Sequence, residues 1–320
     1  MASYDKLPSG RWRGRAMVDG KRITVTAETK RECVAEIERR LRVRRGEMTV
    51  GQAVDEYIDS HAAVFSPSTV KAYRSMARYR FDMLRGIALA DLTEADVARA
   101  VNREAATCSP KTVRNAWGLL HSAIAPFVPV SDWRIRLPQK IKKEPYIPSE
   151  EEVTTLIEKA NGTPYELPFK LAAYCGLRRS EICALTGDDV RDGFIIIDKA
   201  VVLGEDNALH TKAPKTYSGY RRIKVPKNVK INAEKGIPLT TLSPIAISQA
   251  CRRLSGGKFS IHDLRHFYAS MLLRLGVPNK YAAKQMGHAT ENMLQKVYQH
   301  LFPDAEAEYD ELISERLGKM

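Results

Sequence analysis

Cysteine is sparse and unpatterned in this 320-residue chain. Cys33, Cys108, Cys175, Cys183 and Cys251 include no C-x-x-C pair and are odd in number, which excludes a disulfide framework or cysteine-based zinc module and fits reduced thiols. Long apolar runs are missing too. The longest stretch without a formal charge, Asn115 to Ser131, holds His121, Pro126 and Pro129, so no segment suits a bilayer and no membrane partner is expected. The opening MASYDKLPSGRWRGR lacks the apolar core of a secretory leader, which points to a cytoplasmic protein. Acidic residues are the scarce charge: 38 Asp and Glu stand against 51 Lys and Arg, a net of +13.

The hydrophobic fraction is 44%, ordinary for a globular protein, and the length suggests two or three domains. The basic excess is spread along the chain. Residues 1–48 hold 13 basic and 7 acidic side chains, residues 49–143 hold 14 and 9, and residues 144–303 hold 22 and 16. Six acids gather in the remaining tail, 304–320. Three consecutive basic segments suit a protein that lies along a polyphosphate such as double-stranded DNA.

Residues 10–26 predict two short strands joined at Asp19-Gly20, a favoured hairpin turn. Arg11, Arg13, Arg15, Lys21 and Arg22 line this ribbon, and a ribbon of that width can enter a major groove. A helix over 30–45 follows, with Val34, Ile37 and Leu41 on one face. Residues 49–130 predict helices only, opening at Thr49, Ser66-Pro67, Thr93 with Asp96, and Ser109-Pro110. The two Ser-Pro starts, SPSTVKAY and SPKTVRNA, place Lys71, Lys111 and Arg114 in early helical turns, where backbone amides already favour phosphate. Residues 134–148, rich in proline and base, predict a linker. Ser149 with Glu152 opens a new domain through a capping box. Beyond it come helices, a β-rich patch from Phe194 to Leu203, a strand pair across 208–225, and helices starting near Ser243, Ser260, Asn279 and Thr290. An apolar stripe of Ala305, Tyr309, Leu312, Ile313 and Leu317 marks a tail helix.

Four segments of the last domain resemble, in order and spacing, the catalytic domain of tyrosine recombinases of the phage-integrase family. GLRRSEICALTGDDV carries Arg178 and its acidic companion Glu181; PKTYSGYRRIKVP carries Lys215. HDLRHFYAS carries His262 and Arg265, and MGHATENMLQKVYQHL carries His288 and, ten residues later, Tyr298. The resemblance implies a mostly α, multidomain fold. Its parts would be an arm-type DNA-binding β-ribbon-plus-helix domain (1–48), an all-helical core-binding domain (49–133), a basic linker (134–148), a mixed α+β catalytic domain (149–303) and a tail helix (304–320). It most resembles integrases of phages and conjugative transposons.

Strand cleavage by direct attack loads negative charge on the nonbridging phosphate oxygens, and two guanidinium forks suit that load. The resemblance gives Arg178 and Arg265 this part, with His288 as a third donor. It implies Tyr298 as the nucleophile forming a 3′-phosphotyrosyl bond, His262 near the phenol proton, and Lys215 as acid for the departing 5′-oxygen. Lys212, one strand-face step away, remains the alternative to Lys215. No cofactor is expected, since no P-loop is present, and His262 with His266 lacks a third ligand for a metal. The implied partners are core and arm attachment sites on DNA and a homotetramer on synapsed DNA, with excisionase and a host DNA-bending protein as accessories. An inactive DNA-binding regulator and a type IB topoisomerase are the competing readings.

Overall fold

The computed structural model describes residues 2–18, 21–44, 46–140, 145–214, 217–287, 311 and 313–318. They fall into two compact units, residues 1–142 with 204–207, and residues 143–203 with 208–320.

The first unit opens on a three-stranded antiparallel sheet, β1 (Ser3–Lys6), β2 (Trp12–Val18) and β3 (Lys21–Ala27), in that order. The pattern over residues 10–26 predicts only two strands. The third is short and charged, and only Tyr4 adds to the apolar face. Alternation puts Gly14, Ala16, Ile23 and Val25 on that face, beneath α1 (Lys30–Arg44). Gly14 is required there, because a Cβ would lie 2.8 Å from Ile37 Cγ1 and 2.9 Å from Cys33 Sγ. Cys33, rather than the expected Val34, joins Ile37 in the core: its small side chain lets the helix approach the sheet.

Helices α2 (Val50–His61), α3 (Pro67–Tyr79), α4 (Glu94–Thr107) and α5 (Pro110–Ile124) follow. Capping boxes fix two starts, Thr49 with Gln52 and Thr93 with Asp96, and the Ser109 hydroxyl accepts from the Thr112 amide. Val54, Ile58, Leu84, Val97, Val113 and Leu120 fill the core between them. The start of the predicted linker is strapped to these helices. Arg134 N donates to Glu94 Oε1 (2.8 Å), and Arg114 Nε donates to the Pro138 carbonyl (2.9 Å).

In the second unit, Ser149 and Glu152 cap α6 (Glu150–Ala160) as expected. α7 (Glu166–Cys175) ends at Gly176 in the left-handed region (φ 64°), and the four-residue α8 (Arg179–Ile182) follows at once. Then come β4 (Val190–Arg191), β5 (Phe194–Ile197), β6 (Ala200–Leu203), β7 (Leu209–Lys212) and β8 (Arg221–Lys224). The expected pairing across 208–225 does not form. β7 pairs with β6, while β8 pairs with β5 in a sheet ordered β4-β5-β8. The cause is a break at Asp198-Lys199, where Lys199 turns to bond Asp189 (2.7 Å) and splits the apolar run into two strands with separate partners. α9 (Pro244–Leu254), α10 (Ile261–Arg274) and α11 (Asn279–Met286) follow. Leu156, Phe169, Leu177, Ile195, Ile223 and Leu264 meet in the core that α6, α7, α10 and the sheet share. Among the described residues no helix is long and apolar enough to cross a membrane.

Candidate active site

The centre is assembled from three short-range devices. Gly176 turns the chain out of α7 so that Arg178 stands at the N-cap of α8, in extended conformation, with Glu181 one turn on. Ser260 and Asp263 cap α10, whose first turns present His262, Arg265 and His266. Gly287 closes α11 with φ 58°, exposing the last carbonyls of that helix.

Arginines meet on those carbonyls. Arg221 Nε donates to Gln285 O (2.9 Å), Arg265 Nη2 to Met286 O, and Arg178 Nη2 to Gly287 O (3.0 Å). Arg265 Nη1 also donates to Gly176 O, and its side chain is buried. A cation at a helix C-terminus opposes the negative end of the macrodipole, so each of these contacts is favourable in charge as well as in hydrogen bonding. Gly287 has no room for a Cβ, which would sit 2.9 Å from Arg221 Nη1.

Glu181 ties two of the arginines together. Its Oε1 accepts from Arg178 Nη1 (2.7 Å) and Arg221 Nη1 (3.0 Å); its Oε2 accepts from the Arg178 amide (2.8 Å) and Arg221 Nη2 (2.7 Å). Burial alone would raise its pKa, but the Arg221 hydrogen bonds and charge, with Arg178 and Arg265 behind them, outweigh burial and hold it at about 2. The carboxylate is therefore ionised at any physiological pH. Burial, and then the charge of Arg265, push His262 below the ordinary imidazole value against the pull of Asp263. His266 falls further, to about 4, through burial and the neighbouring His262, whose ring lies 4.7 Å away at 81°. Both imidazoles are neutral at pH 7, and a neutral imidazole can accept a proton.

The structure brings Arg178, His262 and Arg265 into one unit on adjoining elements. Lys215, His288 and Tyr298 lie outside the described residues, as do the predicted helix start at Thr290 and most of the tail. Arg221 was missed. Its only signal was strand alternation: with Ile223 facing the core, Arg221 must face the same way and Arg222 outward.

The DNA-binding candidates divide. Arg13, Arg15 and Arg22 alternate with the core residues of β2 and β3 and so share the sheet face opposite α1, where Arg15 also pairs with Asp5 (2.7 Å). Arg11 precedes β2 and lies 3.5 Å from Glu28, and Lys21 opens β3. Lys71 donates to Asn207 Oδ1 (2.6 Å), Lys111 is exposed, and Arg114 holds Pro138.

Fold and centre define a mixed α+β domain organised around buried arginines. The model of the phage integrase family matches residues 148–304. The tyrosine recombinase XerC of Caldanaerobacter subterraneus subsp. tengcongensis is 28% identical over 173 residues, 47% of this chain and 46% of that protein, so the match spans about half of that relative's length. The Tn1549 transposon integrase, solved in complex with transposon right end DNA, aligns with a TM-score of 0.63 at 19% identity, covering 83% of this chain and 100% of that one. A lambda integrase tetramer bound to a Holliday junction aligns at 0.60 and 17%, covering 92% and 94%. Residues 148–304, just under half of the chain, match the phage integrase family, and the solved integrases share the chain's fold.

Proposed function

We propose that the protein is a site-specific DNA recombinase that integrates and excises a mobile element. The carrying observation is the convergence of Arg178 and Arg265 on the carbonyls of Met286 and Gly287, the latter the glycine of the G-H pair that supplies His288. Two preorganised guanidinium groups there would hold the nonbridging oxygens of a scissile phosphate as charge builds on them. Loss of one such donor typically costs on the order of 2.7–4 kcal/mol of barrier, or about 10²–10³ in rate.

In this reading Tyr298 attacks phosphorus and its proton passes to neutral His262. The 5′-oxygen leaves with a proton from Lys215, and a 3′-phosphotyrosyl bond keeps the energy of the broken linkage for rejoining. The exchange of one phosphoester for another needs no nucleotide and no metal. Residues 1–48 would contact arm sites through the face bearing Arg13, Arg15 and Arg22; residues 49–133 would contact core sites, with Lys71 and Lys111 toward phosphate. Linking both modules through residues 134–148 to the catalytic domain, 149–303, raises effective concentration at paired sites. The assembly on synapsed DNA would be a tetramer, with the tail, 304–320, between copies. An excisionase and a host DNA-bending protein would bias direction, and the setting would be the bacterial cytoplasm.

Covalent trapping tests this. Nicked duplexes tiling the ends of the encoding element are incubated with the protein in EDTA and resolved on a denaturing gel beside Tyr298→Phe. An adduct absent from the Phe variant supports the proposal. Retarded DNA on a native gel without any adduct, given both element ends, would instead favour a DNA-binding regulator.

A further inference from the structure

Arg221 has no place in the reaction just described, yet its side chain is almost fully enclosed, 1% exposed against 36% for Arg178. Burying a guanidinium is costly unless every charge is answered, so what answers it is informative. The answer is Glu181, which Arg221 grips with two parallel N–H groups at 3.0 and 2.7 Å. Arg178 reaches the same carboxylate with one side-chain donor, at 2.7 Å. Two guanidinium groups therefore share one carboxylate, and the trio carries a net charge of +1.

The location of that charge matters. A carboxylate one turn from Arg178 is needed to aim its fork, but alone it would neutralise the fork it aims. Arg221 aims both Nη groups at Glu181 and its Nε at Gln285 O, so its own charge is spent on Glu181. Resting on the recombinase reading above, we propose that Arg221 is a positioning residue: it cancels the charge of Glu181, so that Arg178 is oriented by that carboxylate while keeping its positive charge for the scissile phosphate. The Nε bond from Arg221 to Gln285 O adds a second part, fixing the helix end whose next two carbonyls aim Arg265 and Arg178.

The full chain is compared as wild type, Arg221→Met, Arg221→Lys and the double variant Arg221→Met with Glu181→Gln. Met leaves Glu181 to neutralise Arg178, and adduct formation on the nicked duplex should fall by about 10–100-fold, the usual toll when an outer partner of an inner ligand is lost. Gln at position 181 still accepts a hydrogen bond from Arg178 but carries no charge, so the double variant should regain most of the rate although Gln285 O stays unanswered. Arg221→Lys keeps the charge and should lie nearer wild type than Met does. Inorganic phosphate binding, followed by calorimetry, should give the same order without depending on cleavage. Melting temperatures are recorded in parallel, because a purely structural role would make both readouts follow stability.

Equal rates and equal phosphate affinity for wild type and Arg221→Met overturn the inference, as does a double variant no better than Arg221→Met. Readouts that merely track the melting order overturn it too. If Arg221→Met does not fold, the Lys and double variants decide by the same comparison with wild type. A wild type that forms no adduct counts against the recombinase reading, while the phosphate series still judges Arg221; a wild type that binds no phosphate overturns the role given to Arg221.

Discussion

Replacing Gly176 by alanine should damage the second unit more than any single methyl group elsewhere in the described centre. Two costs add. The backbone is left-handed, φ 64°, where an L side chain costs roughly 1–2 kcal/mol. The new Cβ would also fall 2.2 Å from Tyr268 Cδ1 and 2.8 Å from Cε1, far inside contact, and forcing a ring aside in a packed core typically costs about 1–3 kcal/mol. The total is about 2–5 kcal/mol, which for a unit of this size lowers the melting temperature by about 5–20 °C. Gly162→Ala supplies the reference: its φ is 69° but nothing lies within 4 Å of the added carbon, so only the conformational cost applies. Thermal unfolding of both variants, followed by circular dichroism, isolates the clash as the difference. Should Gly176→Ala melt within about 2 °C of Gly162→Ala, the claim that close packing on Tyr268 fixes this turn is wrong. The turn also supplies the carbonyl that orients Arg265, so adduct formation should fall even at temperatures where the variant is folded.

Other tests are quicker. The Glu181 pKa of about 2 lies below its ordinary 4.5, so its stabilisation is complete above pH 4.5 and is lost as pH falls toward 2. The gap in unfolding free energy between wild type and Glu181→Gln should therefore shrink by about 3 kcal/mol over that range, and a constant gap would refute the assignment. His262, lowered by burial and Arg265, should put the acid limb of adduct formation below pH 6.5; a limb at or above 6.5 would contradict it. Ser149→Ala removes an N-cap and should cost about 1 kcal/mol in urea unfolding, with no loss expected if the hydroxyl is idle. Arg114→Ala should speed tryptic cleavage after Arg134 and Arg136 by about tenfold, and unchanged cleavage would mean that Pro138 is held by something else.

Local chemistry was legible in the sequence. Thr49, Thr93 with Asp96, and Ser149 with Glu152 each announce a helix start; Ser149 forms its predicted capping box, and Thr93 and Thr49 form boxes too, the latter with Gln52. Arg178, His262 and Arg265 could be singled out because their motifs are contiguous. Pairings set by distant residues were not legible. Nothing near 208–225 says that β7 belongs to β6 and β8 to β5; that follows from a lysine at position 199 turning toward Asp189. Ser3–Lys6 is too short and polar to announce a strand without its partner β2. Cys33 enters the core in place of Val34 because the sheet beneath it has a glycine at position 14, a fact about packing between elements. Arg221 resembles any surface base until its strand is placed.

The arginine contacts on the end of α11 also bear on how the chain folds. They join residues 109, 64 and 21 positions apart, from Arg178, Arg221 and Arg265 respectively. Contacts between residues so distant in sequence form late, because loop closure must precede any reward from them. A growing polypeptide that has not yet emitted residues 285–287 holds its arginines without the acceptors that aim them. In the recombinase reading, chemical competence is thus tied to completion of the fold, and chains that end before residue 285 would be harmless to the DNA around them.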